Sequence, residues 1–343
     1  MKATELLEEL KEYTNSETIH MYIIERKKKA GSKTKTKPSE KFEYIPLQVD
    51  LSPELAPIIQ KMLKNVIEKK IKNDIEIKDY QVIDDTEEKI QTYNDLGKIT
   101  GFKEFLNSRL GGEIKALKSF EKIAELEKAW AICYGFYSST NKDWLYCIKK
   151  LAPRNMAVDQ SLLKNQKGRG VISTIASYFD TTTSTLKPLN GFSINIEPSI
   201  DLIYYSNQIY IFNKKGFEDI TSLTEEFIEL SKQLVEEVSE INFVNGIEHL
   251  SSVILRKPSF RNKLIKAKDI GNIDFLKTCK NFKLEFNRAG KKLKIKFSYD
   301  VDGKITALNE DDAESIIQVI SEYYKEGIFG GKVFETAAGR LKK

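Results

Sequence analysis

Residues 199–238, SIDLIYYSNQIYIFNKKGFEDITSLTEEFIELSKQLVEEV, change hydrophobic period once, so a strand pair must be followed there by a long helix. Ile200 to Tyr205 and Gln208 to Phe212 are rich in β-branched and aromatic residues, which fit a pleated surface, and Ser206-Asn207 between them suits a two-residue hairpin turn. Beyond NKKGFED, Ser222 and Glu225 have capping-box spacing. Leu223, Phe227, Leu230, Leu234 and Val238 then recur at helical intervals, which predicts one buried stripe. Glu225, Glu226, Glu229, Glu236 and Glu237 give the rest of that helix an acidic, solvated face.

At 343 residues the chain exceeds one typical core, so one large or two smaller domains are expected. Hydrophobic residues make up 41% and charged residues 31%, a balance that sets it apart from disordered and membrane chains. No apolar run approaches the roughly 20 residues of a spanning helix. The start, MKATELLEELKEY, reads as an acidic amphipathic helix without the features of a secretory signal, so a cytoplasmic protein is expected. In that compartment Cys133 and Cys147, on the two strands of one proposed hairpin, are expected to stay reduced and packed, like Cys279. With only His20 and His249 and no cysteine cluster, a structural zinc site is not expected.

Residues 1–14 read as a helix and Ile19 to Arg26 as a strand that runs into the flexible basic loop KKKAGSKTKTKPSEK. Ser52-Pro53 opens a second helix with Leu55, Ile58, Ile59, Met62, Leu63 and Val66 on its apolar face. A strand is expected from Asp74 to Ile83, and helical pieces between Leu96 and the Gly111-Gly112 pair. The fold class is therefore α+β, with antiparallel strand pairs mixed with amphipathic helices in two modules, 1–115 and 116–343.

The net charge of +5 conceals a segregation. Between Leu255 and Lys296 stand fourteen basic residues against Asp269, Asp274 and Glu285, a local net charge of +11 that leaves −6 for the rest. A localised basic surface is the footprint of a nucleic-acid binder, although a charged face is often only a solvated one. The candidate contacts are Arg256, Lys257, Arg261, Lys263, Lys266, Lys268, Arg288, Lys291, Lys292, Lys294 and Lys296. In KKLKIKF, strand alternation would set Lys292, Lys294 and Lys296 on one face and Leu293, Ile295 and Phe297 on the other. FKLEFN would be its partner strand, with Phe282, Leu284 and Phe286 inward. Pro258-Ser259 opens a helix with Phe260, Leu264 and Ala267 as its apolar edge and Arg261 and Lys268 projecting together.

Catalytic chemistry has little support. Asp74, Glu76 and Lys78 form the acid-x-Lys pattern with which some nucleases hold a metal beside a water-orienting lysine, but ordinary half-buried strands alternate in the same way. The glycine segments QKGRGV and FGGKVF lack phosphate-loop spacing. Neither a nucleotide nor a metal cofactor is implied.

The order of strand pair, KKGFED and acidic helix resembles the KwaB family of soluble subunits of the Kiwa anti-phage defence system. Upstream, KAWAICYGFYSSTNKDWLYCIKKLAPRNM is similar to that family's earlier hairpin, with strands around Trp130 to Tyr137 and Trp144 to Lys149. Downstream, NFKLEFNRAGKKLKIKFSYDVDGKITALNEDDAESIIQVISEYY is similar to its terminal strand pair and short helix. The likeness spans residues 116–343 and is one of pattern, without an invariant catalytic motif. It implies a subunit that binds phage DNA and impairs its use, beside a KwaA-like integral-membrane partner through which recruitment to the inner face of the membrane is expected. The residues themselves add the expectation of a non-enzymatic protein that binds DNA with little sequence preference, because the basic block offers charge without a base-reading module. A homo-oligomer, a dimer, is expected. Two alternatives stay open: a metal-dependent nuclease using Asp74, Glu76 and Lys78, and a non-catalytic scaffold whose basic faces meet the membrane subunit or anionic headgroups.

Overall fold

Alternating apolar residues between Ile19 and Ile211 build one eight-stranded sheet. The computed structural model describes residues 2–15, 18–29, 41–72, 74–82, 89–107, 128–158, 177–180, 182–188, 192–322, 324–326 and 333–335. The chain divides into two units, Met1–Asp79 with Glu87–Leu223, and Tyr80–Thr86 with Thr224–Lys343.

The first unit begins with helix α1 (Ala3–Thr14), strands β1 (Ile19–Lys28) and β2 (Phe42–Val49), helix α2 (Leu55–Lys70), strands β3 (Glu76–Asp79) and β4 (Lys89–Tyr93), and helix α3 (Thr100–Asn107). Strands β5 (Ala129–Ser138) and β6 (Asp143–Lys150) follow, then the short strands β7 (Met156–Val158), β8 (Ser177–Asp180), β9 (Thr185–Pro188) and β10 (Phe192–Ile194). Strands β11 (Leu202–Tyr205) and β12 (Gln208–Ile211) and helix α4 (Lys214–Ile220) complete it. The sheet order is β2-β1-β5-β6-β11-β12-β4-β3, antiparallel except for β3 on β4. Strands from both sides of residue 115 thus hydrogen-bond into a single sheet.

Both expected hairpins form. Ser206 (φ 49) and Asn207 (φ 60) take the left-handed backbone of a two-residue turn between β11 and β12. In the other hairpin Tyr134 opposes Cys147 and Cys133 opposes Ile148, so the two cysteines lie on opposite faces of the sheet. Each is a buried free thiol, raised in pKa by that burial. One sheet face, with Ile23, Ile132, Phe136, Leu145 and Ile203, packs with Leu6 and Leu10 of α1 and Ile59, Leu63 and Ile67 of α2.

Four local expectations change here. Strand β2 sits where no element was expected; its Pro46 lacks the N–H an inner strand must donate, which fits its place at the sheet edge. KKGFED is the helix α4, capped by Asn213, whose Oδ1 accepts the Gly216 N–H at 3.3 Å. Ser222 has φ 64 rather than the extended backbone usual in a cap, and its hydroxyl accepts a hydrogen bond from Arg26 Nη1 (2.9 Å) and meets the Tyr44 hydroxyl (2.8 Å). Of the strand expected from Asp74 to Ile83, Glu76–Asp79 forms as β3 among the described residues, and Ile83 lies outside them. The basic loop from 30 to 40 and the Gly111-Gly112 pair lie outside the described residues.

The second unit is mainly helical: α5 (Leu223–Ile241), α6 (Ile247–Arg256), α7 (Pro258–Asp269), α8 (Asn272–Thr278), α9 (Phe282–Leu293) and α10 (Glu310–Ile320). Between them a small sheet orders β13 (Val244–Asn245), β15 (Ile305–Thr306) and β14 (Ser298–Tyr299), and β16 (Tyr324–Glu326) pairs with β17 (Val333–Glu335). Leu234 and Val238 of α5, Leu250, Val253 and Ile254 of α6, Phe260 and Leu264 of α7, and Ile316 and Ile317 of α10 share its core. Of the predicted stripe of α5, Leu223, Leu234 and Val238 are buried and Phe227 and Leu230 half-buried, while Glu229 and Glu236 are exposed.

Candidate nucleic-acid interface

The cationic strand pair expected between Phe282 and Phe297 is a helix. Phe282 and Phe286, four apart, satisfy both a period of two and one of 3.6, and the residues around them decide between the two. Asn281 caps the helix by accepting the Leu284 N–H at 3.0 Å, and the inward side continues through Gly290 to Leu293 at helical spacing. Lys294 ends it in the left-handed region (φ 58), with the Ile295 N–H on the Gly290 carbonyl at 3.0 Å. The strand pair forms one step later, β14 with β15, before α10 as the family pattern implied.

On α9, Arg288, Lys291 and Lys292 are exposed together on the side away from Phe286 and Gly290. Beyond the cap the chain keeps the expected alternation without a ladder: Lys294 and Lys296 are exposed, while Ile295 and Phe297 are half-buried. Phe297 meets Phe286 edge to face, ring centroids 5.3 Å apart. None of these five cations has an ion pair or hydrogen bond among the described residues. Lys280 and Lys283, outside the candidate set, are also exposed, and Lys283 Nζ stands 5.5 Å from the Tyr299 ring centroid. Their signal was simple charge count: from 280 to 297 seven basic residues face Glu285 alone.

The other six candidates are ion-paired or buried. Arg256 pairs with Glu310, which also accepts the Ser252 hydroxyl at 2.8 Å, and Lys257 pairs with Glu314. Lys268 bridges Glu237 (2.8 Å) and Asp274 (3.0 Å), and Lys277 reaches the same two acids. Partial burial opposes ionisation of Glu237, but the hydrogen bonds from the two lysines prevail and hold its carboxyl below the ordinary range. The same bonds raise Lys268. Arg261 and Lys268 therefore do not project together: Arg261 is only 6% exposed, and its Nη2 donates to the Leu255 carbonyl at 3.3 Å. Lys263 is 6% exposed, with Nζ 4.1 Å from the Phe260 ring centroid. Lys266 is 8% exposed, and its Nζ has no hydrogen-bond partner among the described residues. Burial lowers the pKa of Arg261 and, despite the nearby charge of Glu322, that of Lys266. Periodicity identified the apolar edge of α7 but gave no sign that its lysines would be covered too.

At the alternative site, Glu76 is exposed and ion-paired with Lys78 on β3, while Asp74 lies in the preceding turn. Among the described residues, no group of three or more His, Cys, Asp or Glu side chains is placed to hold a metal ion. Nor is any described helix long and apolar enough to cross a membrane.

Fold and surface together define an α+β protein of two units, one built on a mixed sheet and the other carrying an unpaired basic helix face. The chain belongs to the KwaB-like family of Kiwa proteins: the family model described as Kiwa protein KwaB-like matches residues 126–327. The match runs from just before β5 through β16 and covers more than half of the chain. No curated protein and no solved structure matches.

Proposed function

We propose that this chain acts in Kiwa anti-phage defence by binding double-stranded DNA with little sequence preference through the outer side of α9 and the segment that follows it. Family membership supports the defence role. The observation that carries DNA binding is the set of exposed cations Arg288, Lys291, Lys292, Lys294 and Lys296, unpaired among the described residues. Cations already neutralised by Glu237, Glu310 or Glu314 have less to offer a phosphate. A row of lysines and one arginine with no recognisable base-reading module neutralises phosphates without reading sequence. In this reading the protein is a non-catalytic homo-oligomer, a dimer, recruited to the inner face of the membrane by a KwaA-like partner and impairing the use of the phage DNA it holds.

The test is anisotropy of two unrelated labelled duplexes titrated with the full chain at several salt concentrations. Similar affinities that fall steeply with salt are expected, together with a loss of about tenfold or more in Arg288→Glu/Lys291→Glu/Lys292→Glu. Binding that ignores salt, or a triple variant that binds like the parent, overturns the reading.

A further inference from the structure

The outer side of α9 carries cations on both of its flanks, an arrangement that attraction to phosphate does not by itself require. The inner side is set by Phe286 and Gly290. Phe286 packs against Phe243 and Phe297, with ring centroids 5.9 and 5.3 Å apart, and a Cβ on Gly290 would stand 2.5 Å from the Ile295 carbonyl oxygen. The helix thus rests closely on the second unit's core and on the segment that follows it. Its other side is open: Lys283, Leu284, Asn287, Arg288, Lys291 and Lys292 are all exposed.

At about 3.6 residues per turn, Leu284, Arg288 and Lys291 follow one another along the crest, opposite the Phe286 side. Lys283 and Lys292 are about two and a half turns apart, so they lie on opposite flanks of that crest. Lys283, like Lys292, makes no ion pair among the described residues, and Glu285, the one acid of the helix, is half-buried. A helix laid across the outside of a duplex would meet phosphates with one flank. A helix lying in a groove has a sugar–phosphate strand on either side, and cations on both flanks fit that setting. With its side chains an α-helix is about 10–12 Å across, which the major groove admits at about 12 Å and the minor groove does not at about 6 Å. Leu284, 61% exposed on the crest, has nothing to offer a phosphate, whereas the floor of the major groove presents thymine methyl groups. Asn287 already accepts the Tyr299 hydroxyl on Oδ1 at 3.0 Å, which disfavours the two-point contact by which asparagine reads adenine. The helix can therefore enter the groove without imposing a sequence.

We propose that α9 lies in the major groove of the duplex with its crest toward the base edges, Lys283 on the phosphates of one strand and Lys292 on those of the other. This rests on the reading of α9 as the duplex-binding surface and adds the groove it enters and the strand each flank meets.

The test is anisotropy of the full chain with two duplexes of one sequence, one ordinary and one carrying glucosylated 5-hydroxymethylcytosine in place of cytosine. Those sugars fill the major groove and leave the phosphate charge unchanged. Binding to the glucosylated duplex should be about tenfold or more weaker, while netropsin, which occupies the minor groove, should leave the affinity for the ordinary duplex unchanged. Lys283→Ala and Lys292→Ala should each lower the slope of log affinity against log salt by about 0.9. Leu284→Ala should weaken binding about threefold or more at an unchanged slope. All three positions are exposed and alanine favours helix, so urea denaturation should show the variants as stable as the parent. Equal binding of the two duplexes, or a slope that responds at only one flank, overturns the groove placement. If the ordinary duplex then still binds with steep salt dependence and Arg288→Glu/Lys291→Glu/Lys292→Glu still loses it, the α9 surface stands and only its docking mode falls. Absence of duplex binding overturns both.

Discussion

Gly216 leaves no room for a side chain against Asp201: a Cβ there would stand 2.2 Å from Cγ and 2.5 Å from both carboxylate oxygens. Asp201 is 1% exposed and ties three segments together, accepting the Lys150 N–H (2.7 Å), Lys149 Nζ (3.2 Å) and Asn213 Nδ2 (2.8 Å). It thereby fixes the end of β6, the start of β11 and the cap of α4. KKGFED is thus a short helix whose glycine is set by the carboxylate packed beside it.

In most helix positions Gly→Ala stabilises by about 1 kcal/mol. Gly216→Ala should instead destabilise the chain by about 1–3 kcal/mol, because Asp201 must yield and its hydrogen bonds stretch. Urea denaturation gives the sign directly, and a stabilised variant would contradict the packing described.

Lys266 should respond in the opposite sense. Its amine is buried without a hydrogen-bond partner among the described residues, and burial lowers its pKa, so Lys266→Met should stabilise the chain at neutral pH by about 1–2 kcal/mol. The folded state binds this proton less tightly than the unfolded state. Between the lowered folded value and the ordinary lysine value the unfolded chain therefore holds more protons, and the parent gains stability as pH rises. The advantage of Lys266→Met should accordingly shrink over that alkaline window. The same variant should leave duplex affinity unchanged. Thermal unfolding from neutral to alkaline pH checks the first expectation, and anisotropy the second.

Lys294 holds φ 58 at the end of α9, a position that favours glycine. Lys294→Gly should stabilise the chain by up to about 1 kcal/mol while weakening duplex binding, so that one substitution moves the two properties in opposite directions. Denaturation and anisotropy on the same preparation decide it; a destabilised variant would contradict the cap geometry.

Local pattern carried far where one period dominates. Ser206-Asn207 between two β-branched runs, and Trp130 to Lys149 around a polar turn, formed the hairpins their residues predict. Phe282 and Phe286 misled because a four-residue interval serves both a strand and a helix; Leu284 between them, which a strand would turn inward, is exposed on the helix, and Asn281 as cap was the discriminating signal. The basic block was legible as charge, but its division was not. Whether Lys268 meets Glu237, thirty-one residues away, or Lys266 is covered by the core, depends on contacts that spacing does not encode. The first unit was hard to delimit for a similar reason, since β1 pairs with β5 across more than a hundred residues.

That division gives the salt dependence a residue-level expectation. A lysine or arginine that contacts phosphate contributes about 0.9 to the slope of log affinity against log salt, whereas a cation already paired or buried contributes little. Alanine at Arg288, Lys291 or Lys292 should each lower the slope by about that amount and leave stability nearly unchanged, because all three are exposed and unpaired. Alanine at Lys268 should leave the slope nearly intact and cost up to about 1 kcal/mol of stability, because its amine bridges Glu237 and Asp274 at a partly exposed site. Anisotropy at four or more salt concentrations, run beside urea denaturation, separates the two classes. Equal slope losses at Lys268 and Lys291 would mean that the ion-paired lysines open to DNA, and the contact surface would then extend from α9 to α7.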